Sequence, residues 1–238
     1  RLRDLGRIGS INPQVLFLDR QHRVWTSSDF GHLVCYDPEG DRLEITPHRI
    51  PHDPRYQTGW HSVLYDAVAS PDGEWIYAVT WIAGPRLFRF RPGAADEGRI
   101  EDLGQATGER DLTWPMDTFT DHCGGLVFGM DGALYYVAST WEDPFARWDV
   151  SSSSSSDPAR TLRGIIWRLD PATCQRRTVG ELHRPEGISN YACRGAMDAQ
   201  GDLFFGLVNH AQKPNGLFRV ELPGPGGSGT RMPPRMWG

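Results

Sequence analysis

LVFGMDGALYYVAS (126–139), followed after a serine-rich insertion by GIIWRLDPATCQRRTVGEL (164–182), decides how this chain is read. An apolar run meets Asp131-Gly132, turns, and returns through an aromatic stretch. Aromatic and β-branched residues suit a half-buried pleated strand, and Asp-Gly suits a tight two-residue hairpin that needs positive φ. A third strand then leaves from Gly164, and RTVGEL (177–182) reads as a fourth.

The same grammar recurs along the chain. RGAMDAQGDLFFGLV (194–208) precedes NGLFRVE (215–221), AVASPDGEWIYAVT (67–80) precedes GPRLFRFRP (84–92), and VLFLDRQHRVWTSSDFGHLVCYDPEGDRLEI (15–45) opens the series. Asp19, Asp72, Asp131 and Asp198 mark the turns, and Arg89, Arg168 and Arg219 alternate along the third strands. The turns recur at roughly 50–70 residues, which fits propeller blades of four strands and about 40–50 residues once loops have grown. The expected fold is all-β: a β-propeller of four-stranded antiparallel blades, about four of them visible.

Residues 1–9 (RLRDLGRIG) resemble the ends of later repeats, so the chain opens with an outermost strand. Either that strand completes the last blade, which lacks its own fourth strand, or the chain is a fragment of a six- or seven-bladed ring. Blades account for residues 1–221, and the Pro- and Gly-rich residues 222–238 read as a tail or linker.

Bulk properties narrow the function classes. The 238 residues can bury a substantial core. A net charge of −5 offers no basic field for nucleic acid. No run approaches the ~20 apolar residues of a membrane span. The four cysteines form no Cys-x-x-Cys pair, so zinc-ribbon and thioredoxin-type motifs are excluded. Cytoplasmic and exported locations both remain open, the latter after removal of a signal segment.

Blade connectivity sorts the loops. Links between blades share one end with the second-to-third-strand loops, and the first hairpins occupy the other end. In this register His32, His48, His52, His61, His122, His183 and His210 belong to the link end, and His22 alone to the hairpin end. Function on such scaffolds concentrates in loops. The candidate catalytic residues are His61, His122, Tyr191 and Arg194. Trp60, Trp114, Arg184 and His183 are candidate substrate contacts. His61 and His122 end successive links, where neutral imidazoles can ligate a divalent metal such as Mg, Ca or Mn, or serve as base and acid. Arginine neutralises a substrate carboxylate, and indole faces suit sugar rings. A loop histidine is more often simply solvated, and no fixed His-x-x-x-His spacing sharpens the signal. Cys123 and Cys193 begin adjacent inner strands and read as two small buried thiols rather than a disulfide or shared metal site.

MDGALYYVAS with GIIWRLDPATC resembles the repeats of the broad propeller group that includes NHL-repeat proteins, gluconolactonase-like enzymes and virginiamycin B lyase. The resemblance spans about residues 1–221 and implies architecture more than activity. Gluconolactonase-like members hold a metal with Glu, Asn and Asp. The virginiamycin-lyase type implies a histidine near magnesium, a part open to His122 or His61. Polysaccharide lyases with propeller folds set His, Tyr and Arg around a cleft. The function expected is therefore a lyase or hydrolase-like activity on a carbohydrate or lactone. The alternative is a noncatalytic propeller that binds a small molecule or a protein.

Overall fold

A computed structural model describes residues 4–6, 8, 15–28, 31–51, 63–80, 85–93, 98–106, 123–141, 162–182, 191–208, 216–220 and 222. Every regular element among them is a strand. The first sheet contains β1 (Phe17–Leu18), β2 (Val24–Ser27), β3 (His32–Asp37) and β4 (Arg42–Arg49); the second contains β5 (Leu64–Ala69), β6 (Ile76–Thr80), β7 (Arg86–Arg91) and β8 (Arg99–Gln105). The third contains β9 (Cys123–Phe128), β10 (Leu134–Trp141), β11 (Leu162–Leu169) and β12 (Arg176–Leu182); the fourth contains β13 (Tyr191–Met197), β14 (Leu203–Val208) and β15 (Gly216–Val220). Each sheet is an antiparallel meander in sequence order, four-stranded in the first three and three-stranded in the last. This is the blade architecture of a β-propeller, as the repeats predict.

Two compact units divide the chain, Arg1–Ala106 and Thr107–Gly238. In the first, Phe17, Trp25, Leu33 and Cys35 pack on Leu64, Ile76, Ala78, Phe88 and Phe90. The Trp25 and Phe90 rings meet edge-on at 4.8 Å, a favoured aromatic geometry. In the second, Val127, Tyr135, Val137 and Ile166 pack on Leu203, Phe205, Phe218 and Val220. Sheet faces therefore bury against sheet faces, and period-2 alternation selects the residues that do so.

The turns differ from the two-residue form expected. In the first sheet the His22 amide donates to the Asp19 carbonyl and the Asp19 amide to the Arg23 carbonyl, leaving Arg20, Gln21 and His22 as the loop. His22 adopts φ 59°. Gly132 and Gly201 take the same left-handed place, with φ 74° and 90°. This is a type I turn closed by a left-handed residue, the usual three-residue hairpin. The second sheet spends one residue more, from Ser70 to Trp75, with Gly73 left-handed at φ 69°.

The turn acids also fall into two places. Asp19 and Asp198 begin their turns, and each Oδ1 accepts two amides, from Gln21 and Arg23 or from Gln200 and Asp202. Asp72 and Asp131 stand one residue before the left-handed glycine and accept from Glu74 and Ala133.

The third-strand arginines have a common register. Arg89, Arg168 and Arg219 stand directly opposite Tyr77, Tyr135 and Phe204. They pair with Glu101, Asp131 and Asp202. In the first sheet Cys35 holds that place opposite Trp25, and Arg23 lies over the indole instead, at 5.4 Å.

Candidate functional site

Meander topology puts the Asp19, Ser70, Gly129 and Asp198 turns at one end of their sheets, and sends the blade-to-blade links and the β2–β3, β6–β7, β10–β11 and β14–β15 connections to the other. The turn end is chemically settled. Its carboxylates are consumed by their own backbone amides and by arginines. The link end is where the blade-to-blade sequence meets the first residues of the innermost strands.

Those innermost strands are shaped by bulges. Register shifts occur between Leu64 and Asp66, between Tyr135 and Val137 opposite β9, and between Ala192 and Arg194. An unpaired residue increases local twist and re-aims its neighbours. In the second unit β9 and β13 approach through glycine. A Cβ on Gly195 would fall deep inside contact distance of the Gly125 carbonyl oxygen. Only the absence of side chains lets two backbones come so close.

Of the expected site residues, two are carried by described strands. Tyr191 begins β13, paired with Val208. Arg194 lies three residues further on, beyond the bulge, paired with Gly206 and exposed on the sheet. Arg194 is therefore a strand-face residue, whereas Tyr191 stands at the strand mouth. His61, His122, Trp60, Trp114, His183 and Arg184 lie outside the described residues. Cys123, the residue after His122, begins β9 and is buried.

Two other histidines are placed differently from one another. His32 starts β3 at the link end, with Nδ1 3.0 Å from the Thr46 carbonyl and its amide donating to Ser28 Oγ at 3.2 Å. That ring is held as part of the scaffold. His48, expected in a link, lies within β4 and packs against the Phe90 ring at 5.7 Å. Strand β4 continues through Pro47 because an outermost strand has one unpaired side and tolerates a missing amide.

Sequence reading missed Asp66. It sits in the third position of β5, next to the bulge, and is 4% exposed. Its Oδ1 accepts from the Ala67 amide at 3.0 Å. An acid inside the apolar run VLYDAVA was the available signal, because buried carboxylates require partners. Nearby, Ser27 Oγ accepts the Leu64 amide at 3.0 Å and ties the mouth of β5 to the end of β2. No group of three or more His, Cys, Asp or Glu gathers around a common point among the described residues.

A polar cleft elsewhere on the first sheet is lined by Arg23, Trp25, Cys35, Asp37, Arg42 and Glu44. Its charges are internally matched: Arg23 pairs with Asp19 at 2.7 Å and Arg42 with Glu44 at 2.8 Å. Burial pushes the Cys35 thiol up to about 11, so the nucleophilic thiolate is suppressed there. On the third sheet Tyr136 stacks on Trp167 at 6.5 Å, and burial raises the Tyr136 hydroxyl far above its ordinary value. Among the described residues no helix is long and apolar enough to cross a membrane.

Solved structures similar to this chain include three sugar-related proteins. A candidate gluconolactonase is 13% identical, with a TM-score of 0.45, over 87% of this chain and 59% of its own. A candidate 6-phosphogluconolactonase from Bacteroides fragilis is 11% identical, with a TM-score of 0.48, over 88% of this chain and 51% of its own. The endo-arabinase from Bacteroides thetaiotaomicron is 12% identical, with a TM-score of 0.44, over 87% of this chain and 73% of its own. This chain thus spans little more than half the length of the two lactonase-type structures. No protein-family model and no curated protein matches the chain.

Proposed function

We propose that the chain is part of a propeller enzyme with a lyase or hydrolase-like activity on a carbohydrate or lactone bound at the link end. One observation carries this reading. Innermost strands β9 and β13 touch at Gly125 and Gly195, Tyr191 opens β13, and His122 immediately precedes β9 in sequence. This adjacency of β9 and β13 supports reading His122 as the base and Tyr191 as the acid of one site.

In the lyase form, His61 or His122 removes the proton α to a carboxylate. Arg184 or Arg194 neutralises that carboxylate, so that charge building up on it in the transition state is stabilised. The carbon–carbon double bond forms as the bond to the leaving oxygen breaks, and Tyr191 supplies that oxygen's proton. Trp60, Trp114 and His183 hold the sugar rings. In a metal-assisted hydrolytic form His61 and His122 would hold a divalent ion such as Mg, Ca or Mn, and that ion would supply Lewis-acid polarisation of a scissile carbonyl.

The test is a panel of uronic-acid polysaccharides followed by the absorbance of unsaturated products, with lactone hydrolysis and elemental analysis of the purified protein alongside. Turnover lost in His61→Ala/His122→Ala, with thermal unfolding unchanged, is the expected result. Full activity in that double variant removes the assignment. Ligand binding without turnover of any substrate transfers the chain to the noncatalytic reading.

A further inference from the structure

Met130 is the second residue of its turn and is 71% exposed. Its side chain nevertheless lies across the left-handed glycine of the next hairpin: a Cβ on Gly201 would meet Met130 Sδ at 2.6 Å and Cγ at 3.2 Å. The first unit repeats this relation. Arg20, also second in its turn, lays its stem over Gly73, where a Cβ would meet Cγ at 2.7 Å and Cδ at 2.9 Å. Within each unit one turn position thus clasps the first hairpin to the second, by an aliphatic stem in the first unit and by a thioether in the second.

An accessible thioether is open to two-electron oxidation, and the product is polar and bulkier at sulfur. We propose that Met130 is a reversible oxidation site that loosens the clasp between the Gly129 and Asp198 hairpins. The oxidant is a peroxide. The sulfur lone pair attacks one peroxide oxygen, an S–O bond forms, and the O–O bond breaks. The departing hydroxide takes the proton carried by the transferred oxygen and leaves as water, so sulfoxide and water are the products. Sulfur loses two electrons and the peroxide gains them. The new oxygen makes the atom that lies on Gly201 polar and wider, so the side chain prefers solvent and its hold on Gly201 weakens. A thiol-driven methionine sulfoxide reductase restores the thioether and the clasp. Met197, 39% exposed and one residue before Asp198, is the internal comparison.

The experiment treats the folded chain with graded hydrogen peroxide, follows each methionine by peptide mass spectrometry, and reads amide hydrogen exchange across residues 198–202. Met130 is expected to gain oxygen ahead of Met197, with exchange at Gly201 and Asp202 rising about threefold. Reductase treatment reverses both changes. Met130→Leu keeps a similar volume and shows no exchange response to peroxide. Protection of Met130 in the folded chain overturns the proposal. So does its oxidation without any change across 198–202, or an unchanged peroxide response in Met130→Leu.

Discussion

The indole Nε1 of Trp25 donates a 2.8 Å hydrogen bond to Oδ2 of Asp19. The same oxygen takes Arg23 Nε at 2.7 Å, and Oδ1 takes the Gln21 and Arg23 amides at 2.9 and 3.0 Å. One buried carboxylate thus fixes a turn, an arginine and the largest core ring of the first unit. Asp19→Ala is expected to cost about 3–4 kcal/mol, because it strands a buried indole N–H and a partly buried guanidinium. Trp25→Phe removes one partner and some volume and should cost about 2 kcal/mol. Urea unfolding measures both, and a loss below about 1 kcal/mol for Asp19→Ala contradicts the role assigned.

Asp131 gives the acid response of the third sheet. Burial alone would raise its carboxyl, but the Ala133 amide, Arg168 and the Tyr135 hydroxyl outweigh that and hold it below its ordinary value. The folded state therefore binds fewer protons than the unfolded state as acid is added. The stabilisation is complete above about pH 4, the unfolded carboxyl value, and is lost as pH falls through the lower folded value. Asp131→Asn should unfold at lower urea at neutral pH and show a flatter stability profile below pH 4. Parallel profiles for the two proteins count against this account. Tyr135 complements it: burial first, then the Asp131 charge, push its hydroxyl up to about 12. That phenol should show no titration in ultraviolet difference spectra at pH 10.

Gly195 and Gly180 make a matched pair. A Cβ at Gly195 collides with the Gly125 carbonyl, which is backbone and cannot swing aside, whereas a Cβ at Gly180 meets nothing within 4 Å. Gly195→Ala should lose about 2–4 kcal/mol, and Gly180→Ala should stay within about 0.5 kcal/mol of the parent. Equal melting temperatures for the two variants would show that β9 and β13 do not touch there.

Thiol chemistry separates the cysteines. Cys35 and Cys123 are buried, and Cys174 is partly exposed in the β11–β12 turn with φ 57°. At pH 8 a disulfide reagent should modify Cys174 quickly and leave Cys35 and Cys123 until unfolding. Cys174→Ser should abolish that fast phase. Its persistence, with peptide mapping that places the label on Cys35 or Cys123 rather than Cys193, would mean that a buried thiol is more accessible than the packing allows.

Much of this fold was legible because burial on a sheet has a period of two and the repeats restate it. The aromatic second strands and the arginines of the third follow from that pattern. Turn length was not legible. An aspartate that begins a turn and one that precedes its glycine both offer Oδ1 to an amide two residues ahead, so Asp19 and Asp131 look equivalent in sequence and differ in place. His48 misled because Pro47 imitates a strand end. Asp66 was hidden in an apolar run. The candidate site was the least legible part, since links obey no period. Of its residues, Tyr191 and Arg194 fall on one strand at different depths, and the other candidates lie outside the described residues.

Acids that satisfy their own turns leave each hairpin indifferent to whatever chain enters at the far end of its sheet. Such a hairpin is a fixed handle. Link sequence can change without renegotiating how the strands reverse. Innovation on one side is then decoupled from foldability on the other.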